Sequence, residues 1–300
     1  MPDDIRKDAD AEQHRRSLQP DPVALGRRGF MAGAGVAGFA LAAHPIQAQT
    51  VITTDMNGLV GGMAEVPAAD NRKLPVYYAR PAQGSNFATV IVAQEIFGVH
   101  EHIKDVCRRL AKEGYLAIAP DYYFRAGNAL AVTDVPTLLR DIIGKVSDAQ
   151  IMSDIDSTVK WAAGSVAKGD TKKLGITGFC FGGRVTWLYV AHNPGVKAGV
   201  AWYGPLEGQK NDMRQMFPSE LVAKINAPVL GLYGGADGGI SNDSVDRMRA
   251  ALRAAGKSSE IITYPDTPHA FHADYRPTYR AGPAKDGWQR LVVWFSRNIA

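Results

Sequence analysis

From residue 88 to the C-terminus, short apolar runs alternate with stretches in which apolar positions return every three or four residues. The runs are Ala88–Ala93, Tyr115–Ala119, Lys173–Thr177, Val196–Trp202, Pro228–Tyr233 and Ser259–Tyr264. Each has the length of a strand and is too continuous to keep one side in water, so buried strands are predicted. Helices are predicted between them. From His102, the positions Ile103, Val106, Cys107, Leu110 and Ala111 share one face, and Gly114 ends that helix. Asp134–Val146 and Ser147–Lys168 follow, the second closed by Gly169; then come Arg184–Val190, Asn242–Ala255 with Gly256 after it, and Ala284–Asn298. Strand alternating with helix predicts an α/β domain with a mainly parallel sheet covered on both faces.

Upstream the pattern changes. Val51–Thr54, Met63–Pro67 and Leu74–Tyr78 read as strands, with turns at Asn57-Gly58 and Gly61-Gly62. They predict an antiparallel edge at the N-terminal side of the sheet. No internal repeat or interdomain linker interrupts the chain, so residues 49–300 are read as one domain.

Residues 1–48 have a different character. A polar, doubly charged stretch precedes Gly26-Arg27-Arg28-Gly29-Phe30-Met31, and a small-residue apolar run extends from Ala32 to Ala43. Twin arginines before a weakly apolar run resemble a Tat export signal, with cleavage after Ala48 and Gln49 as the mature N-terminus. The run is too short and glycine-rich for a good membrane span, although an uncleaved anchor is the alternative. The expectation is a periplasmic or secreted protein that meets the Tat machinery transiently and keeps no stable membrane association after cleavage.

Composition adds little beyond this. The chain is 46% hydrophobic and 21% charged, with a net charge of +4. Basic residues are scattered among acidic ones, with no run beside interleaved aromatics, which argues against a nucleic-acid partner. The cysteines are Cys107 and Cys180, and no Cys-x-x-Cys is present. Cys107 falls on the apolar face of its helix and is read as a core residue. A disulfide between the two would consume the thiol discussed next.

Gly178-Phe179-Cys180-Phe181-Gly182-Gly183 joins the apolar run ending at Thr177 to the helix from Arg184. Strand, Gly-x-nucleophile-x-Gly, helix is the pattern of the nucleophile elbow, here with cysteine. The glycines let strand and helix pass without Cβ clashes, and the thiol stands at a helix N-terminus, where negative charge is favoured. A thiol with a pKa of about 8.5 needs a base and an orienting carboxylate to act near neutral pH. Asp237 follows the run ending at Tyr233, and His269 follows the run ending at Tyr264. Nucleophile, acid and histidine therefore come in the hydrolase order, each past a strand, where open α/β sheets build their sites. His100-Glu101-His102 and His269-x-x-His272 invite a metal, but the first pair does not share a helical face and neither has an obvious third ligand, so no metal is expected. The glycines around Gly234 and Gly238 lack the Gly-Lys-Ser/Thr of a phosphate loop, and no cofactor is implied.

From about residue 70 onward the chain resembles the dienelactone hydrolase (carboxymethylenebutenolidase-like) family. The resemblance rests on Gln94–Gly98, Ala119–Arg125, the elbow, Trp202-Tyr203-Gly204, the Asp237 loop and His269-Ala270-Phe271. It implies an α/β-hydrolase fold and a Cys180–His269–Asp237 triad. It further implies that Glu95 neighbours the nucleophile and takes its proton when substrate binds, that the backbone N–H groups of Ile96 and Phe181 form the oxyanion hole, and that Arg125 grips a substrate carboxylate. One departure stands out. Archetypal members carry a second arginine four residues after the histidine, where this chain has Ala273. Arg276 fills that role from a longer loop, or one arginine suffices. Tyr123, Trp202 and Tyr203 are the candidate pocket walls, together with Phe124.

These readings converge on a hydrolase that opens anionic lactones or cleaves activated esters through a cysteinyl thioester, with Glu95 or His269 receiving the Cys180 proton. The rival readings are a broad carboxylesterase for neutral esters, indifferent to Arg125, and a non-catalytic binding or thiol-redox protein that turns over no ester.

Overall fold

The computed structural model describes residues 52–300. The export signal expected over residues 1–48 lies outside the described residues. Eight strands form one sheet: β1 (Leu59–Pro67), β2 (Lys73–Pro81), β3 (Phe87–Ala93), β4 (Leu116–Pro120), β5 (Gly169–Phe179), β6 (Val196–Trp202), β7 (Val229–Gly234) and β8 (Glu260–Tyr264). Their order across the sheet is β1-β2-β4-β3-β5-β6-β7-β8. β2 runs antiparallel to both β1 and β4, and every other pairing is parallel. This is the α/β-hydrolase architecture, with its antiparallel edge on the N-terminal side.

The helices are α1 (Glu101–Lys112), α2 (Val135–Asp141), α3 (Asp148–Ala162), α4 (Phe181–His192), α5 (Asn242–Ala254) and α6 (Ala281–Asn298). Central strands bury both faces: Val90, Ile91, Val92 and Ala93 of β3 are all fully buried, as the unbroken apolar run requires. Cys107 is buried in α1 and unbridged, and Cys180 is also a free thiol.

The strand order explains where a site can form. β3 lies between β4 and β5, so the chain leaves β3 to one side and returns on the other. At such a reversal the loops leaving adjacent strands diverge and open a crevice at their carboxyl ends. Ala93 and Gly178 are register partners there, which brings the segment after β3 beside the segment after β5. The ends of β7 and β8 lie farther along the same edge.

Several boundaries differ from expectation, each for a tertiary reason. Gly61-Gly62 is not a turn but the middle of β1, paired with Ala79 and Tyr78. A Cβ on Gly61 would stand 2.2 Å from the Tyr78 carbonyl oxygen, so close strand approach explains the glycine. Residues 52–54, expected as a strand, make no ladder. Instead the Ile52 and Thr54 N–H groups donate to Asp274 (2.9 Å) and Asp105 (2.6 Å). The predicted helix Asp134–Val146 shrinks to α2 and a 3₁₀ turn at Ile143–Lys145, around the poor helix former Gly144. α3, capped by the Ser147 hydroxyl accepting from Gln150 N–H (3.1 Å), stops at Ala162 rather than Lys168. Gly169 opens β5 because a Cβ there would meet Leu116 and Thr89 at 2.5 Å.

Candidate active site

The elbow is built by close backbone contact. A Cβ on Gly178 would lie 2.2 Å from the Gly182 carbonyl oxygen, and one on Gly182 only 2.1 Å from that of Ala93. Cys180 between them adopts φ 55° and ψ −117°, a conformation costly for a residue with a side chain. It is held by Cys180 N–H donating to Trp202 O (3.0 Å) and by Gly183 N–H donating to Cys180 O (2.9 Å). Cys180 is 4% exposed. The Phe181 N–H, at the first position of α4, has no intrahelical acceptor and points the helix dipole's positive end at this turn.

Asp237, past β7, and His269, past β8, converge on the thiol. Asp237 Oδ1 accepts from the Gly239 and Ile240 N–H groups at 2.8 and 3.1 Å, and this turn aims Oδ2 at His269 Nδ1, 2.6 Å away. The remaining face of the imidazole is hydrogen-bonded to Cys180. Burial opposes a charge on this ring, but the Cys180 charge and the bonds to Asp237 and Cys180 outweigh it and raise the pKa to about 10. The Tyr203 ring stands edge-on to the imidazole at 5.1 Å. Tyr203 and Ala270 share the positive φ of Cys180, so strained backbone gathers around the thiol.

A narrow cleft, with room for little more than one water molecule, opens onto Cys180 and His269 and is completed by Glu95, Ile96, Phe97, Ala270 and Arg276. Glu95 is 1% exposed, and its Oε2 accepts from the Tyr275 hydroxyl (2.7 Å) and pairs with His100 Nε2 (3.0 Å). Burial would raise its pKa, yet the His100 bond and the Arg276 charge hold it well below the usual carboxylate range. Arg276 is 6% exposed, with its guanidinium over the Phe97 and Tyr275 rings at 4.7 and 4.9 Å. Its Nε and Nη1 are buried without a hydrogen-bond partner among the described residues.

The structure does not bring every expected residue here. Arg125 does not line the cleft. Its Nη1 and Nη2 donate to Asp154 at 2.7 and 3.0 Å, and its Nε and Nη2 to Asp70 at 2.7 and 3.0 Å. A guanidinium spent on two carboxylates has no edge left for a substrate. Phe124 serves the same assembly, its ring 4.3 Å beneath Arg125. Trp202 is a core residue rather than a pocket wall: it donates to Thr177 Oγ1 (3.2 Å) and stacks on Phe179 at 5.3 Å. Tyr123 and Tyr203 are fully buried behind the cavity, their hydroxyls without a partner among the described residues. Among the described residues no cluster of three or more histidine, cysteine or acidic side chains could hold a metal.

Comparison with known proteins identifies the family. The dienelactone hydrolase family is matched over residues 74–299. The chain belongs to the dienelactone hydrolase family. It is similar to a protein of Methylorubrum extorquens provisionally named a carboxymethylenebutenolidase, at 55% identity over 271 residues, 90% of this chain and 92% of that one. It is 30% identical to a Bradyrhizobium protein provisionally named a 2-oxo-3-(5-oxofuran-2-ylidene)propanoate lactonase, covering 73% of this chain and 87% of that one. A crystal structure from Klebsiella pneumoniae, provisionally titled a dienelactone hydrolase, superposes with a TM-score of 0.77 at 51% identity, covering 80% of this chain and 99% of that one. As a dienelactone hydrolase family member, the protein is a hydrolase acting on lactone or ester bonds.

Sequence reasoning missed the partners of Glu95. His100 lies five residues beyond it and Tyr275 far along the chain, and neither carries a motif that announces the contact. It also missed Asp70 and Asp154, which remove Arg125 from the site.

Proposed function

We propose that this hydrolase opens small anionic lactones by covalent catalysis at Cys180, with Arg276 rather than Arg125 receiving the substrate carboxylate. The observation that carries this reading is the cavity itself. One wall holds a thiol bonded to an imidazole that is in turn bonded to a carboxylate, and another holds a buried guanidinium whose Nε and Nη1 have no partner among the described residues. The Bradyrhizobium relative is named for an anionic furanone lactone, which is the same substrate class.

The chemistry follows from charge. The Cys180 thiolate attacks the lactone carbonyl, and its oxyanion is received by the N–H groups of Phe181 and Ile96. As the acyl carbon–oxygen bond breaks, the ring oxygen leaves as an alkoxide or enolate and takes the proton held by His269. Formation of the thioester removes the thiolate charge that raised the imidazole pKa. His269 therefore becomes a neutral base at the moment a water must be deprotonated to cleave the thioester. Asp237 fixes the tautomer throughout. The donors on Glu95 support His269 over Glu95 as holder of the Cys180 proton, since a carboxylate with a depressed pKa is a poor base.

Steady-state hydrolysis of a dienelactone carboxylate and of p-nitrophenyl acetate tests the reading. Turnover of the lactone that disappears in Cys180→Ala is expected. Turnover of the neutral ester alone, indifferent to Arg276, would make this a general esterase, and no Cys180-dependent turnover of either would leave a binding or redox protein. The reading includes export: replacing Arg27 and Arg28 by lysine should empty the periplasmic pool in a fractionation experiment.

A further inference from the structure

We propose that His100 and Tyr275 are positioning residues that hold the Glu95 carboxylate off Arg276, keeping the guanidinium edge open for a substrate anion. The inference rests on the reading of Arg276 as the anion-binding group.

A buried carboxylate and a buried guanidinium on one small cavity would ordinarily close on each other as a bidentate pair. Here they do not. Arg276 acts on Glu95 through its charge and is hydrogen-bonded to Tyr275, while its Nε and Nη1 remain without a partner among the described residues. What satisfies Glu95 instead is a pair of donors converging on one oxygen: the Tyr275 hydroxyl at 2.7 Å and His100 Nε2 at 3.0 Å. Neither engages Oε1.

The surroundings fix both donors in place. His100 occupies the N-cap of α1, a position that favours serine, threonine, aspartate or asparagine, yet its side chain makes no capping bond. The ring turns to Glu95 and meets the Tyr275 ring edge-on at 5.2 Å. Burial pushes the His100 pKa below the usual histidine value, so the neutral ring presents Nε2–H to the carboxylate. Tyr275 is adjacent to Asp274, which is anchored by His102 Nδ1 (3.0 Å), Arg109 Nη2 (3.1 Å) and the Ile52 N–H (2.9 Å). The loop that carries Arg276 thus also carries the donor that keeps Glu95 away from it. Without these donors a buried carboxylate would be left unpaired, and Arg276, whose charge already acts on it from the same cleft, offers unpartnered donors.

The test is calorimetric titration of benzoate, an unreactive carboxylate, into the full-length protein and variants. Tyr275→Phe and His100→Asn should each raise the benzoate Kd about tenfold, the size expected when one charge-assisted hydrogen bond is redirected. His100→Gln, whose amide can still donate, should bind nearly as wild type does. In a Glu95→Gln background neither substitution should matter, because no carboxylate remains to block Arg276. Weakening that persists in that background overturns the proposal, as does an unchanged Kd in both single variants. Failure of wild type to bind benzoate in an Arg276-dependent manner overturns it as well. Turnover of p-nitrophenyl acetate by wild type, read separately, shows whether the hydrolytic reading stands when this one falls.

Discussion

Arg125 and Asp154 face each other through two parallel N–H···O bonds of 2.7 and 3.0 Å, and the Asp154 side chain is wholly out of water. The pair ties the loop after β4 to α3. Removing the arginine leaves a buried carboxylate with no charged partner and only the Gln150 amide (3.2 Å) donating to it, which costs about 3 kcal/mol. Arg125→Gln should lower the urea midpoint accordingly. At temperatures where it stays folded, its KM for an anionic lactone should stay near that of wild type.

Arg276→Gln should behave in the opposite way. Loss of a charge-assisted, bidentate contact to a carboxylate is worth about 1.5–3 kcal/mol, or a tenfold to hundredfold rise in KM for an anionic lactone. The loss on p-nitrophenyl acetate should be at least about tenfold smaller. Parallel kinetics on both substrates read the difference.

The His269 proton is held until about pH 10. A lactone whose leaving oxygen needs that proton should be opened less well as pH rises through this value. p-Nitrophenyl acetate, whose leaving group is stable as an anion, should show no such limb in its acylation rate. In Cys180→Ala the thiolate charge is gone while burial remains. The imidazole pKa, followed by NMR, should fall by about two pH units or more.

Asp237→Asn keeps the shape of the turn but loses the charge and the acceptor that fix the imidazole tautomer. A loss of kcat of about a thousandfold to ten-thousandfold is expected, with KM little changed. Equal loss in both parameters would argue that the turn had moved.

Gly182→Ala places a methyl group 2.1 Å from the Ala93 carbonyl oxygen, a contact with backbone that cannot swing aside. Overpacking of this kind costs about 1–3 kcal/mol or more. The variant should lose both stability in urea and thiol reactivity, because the elbow itself must shift.

The alternation of apolar runs with helical periodicity made the parallel sheet legible, since a strand buried on both faces must be apolar throughout. The elbow was legible for a related reason: its glycines are demanded by contacts within a few residues, between strand end and helix start. Asp237 and His269 could be read because each follows an apolar run directly. The Gly61-Gly62 pair misled, since a glycine required by a neighbouring strand and a glycine required by a turn are the same letter.

What the sequence alone determined, then, were the features fixed by local constraint: strand and helix order, the thiol on its strained turn, and the chain order of the groups around it. The tertiary structure alone decided which arginine is available. Arg125 and Arg276 have the same chemistry, and only packing shows that two aspartates engage the first while the second lies buried on the Cys180 cleft with its Nε and Nη1 unpartnered among the described residues. The same holds for Glu95, whose partners His100 and Tyr275 lie 5 and 180 residues away along the chain. Hydrogen bonds between side chains so far apart leave no periodicity in the sequence. The Tyr275 bond exists only because the segment after β8 meets the segment after β3 at the carboxyl edge of the sheet.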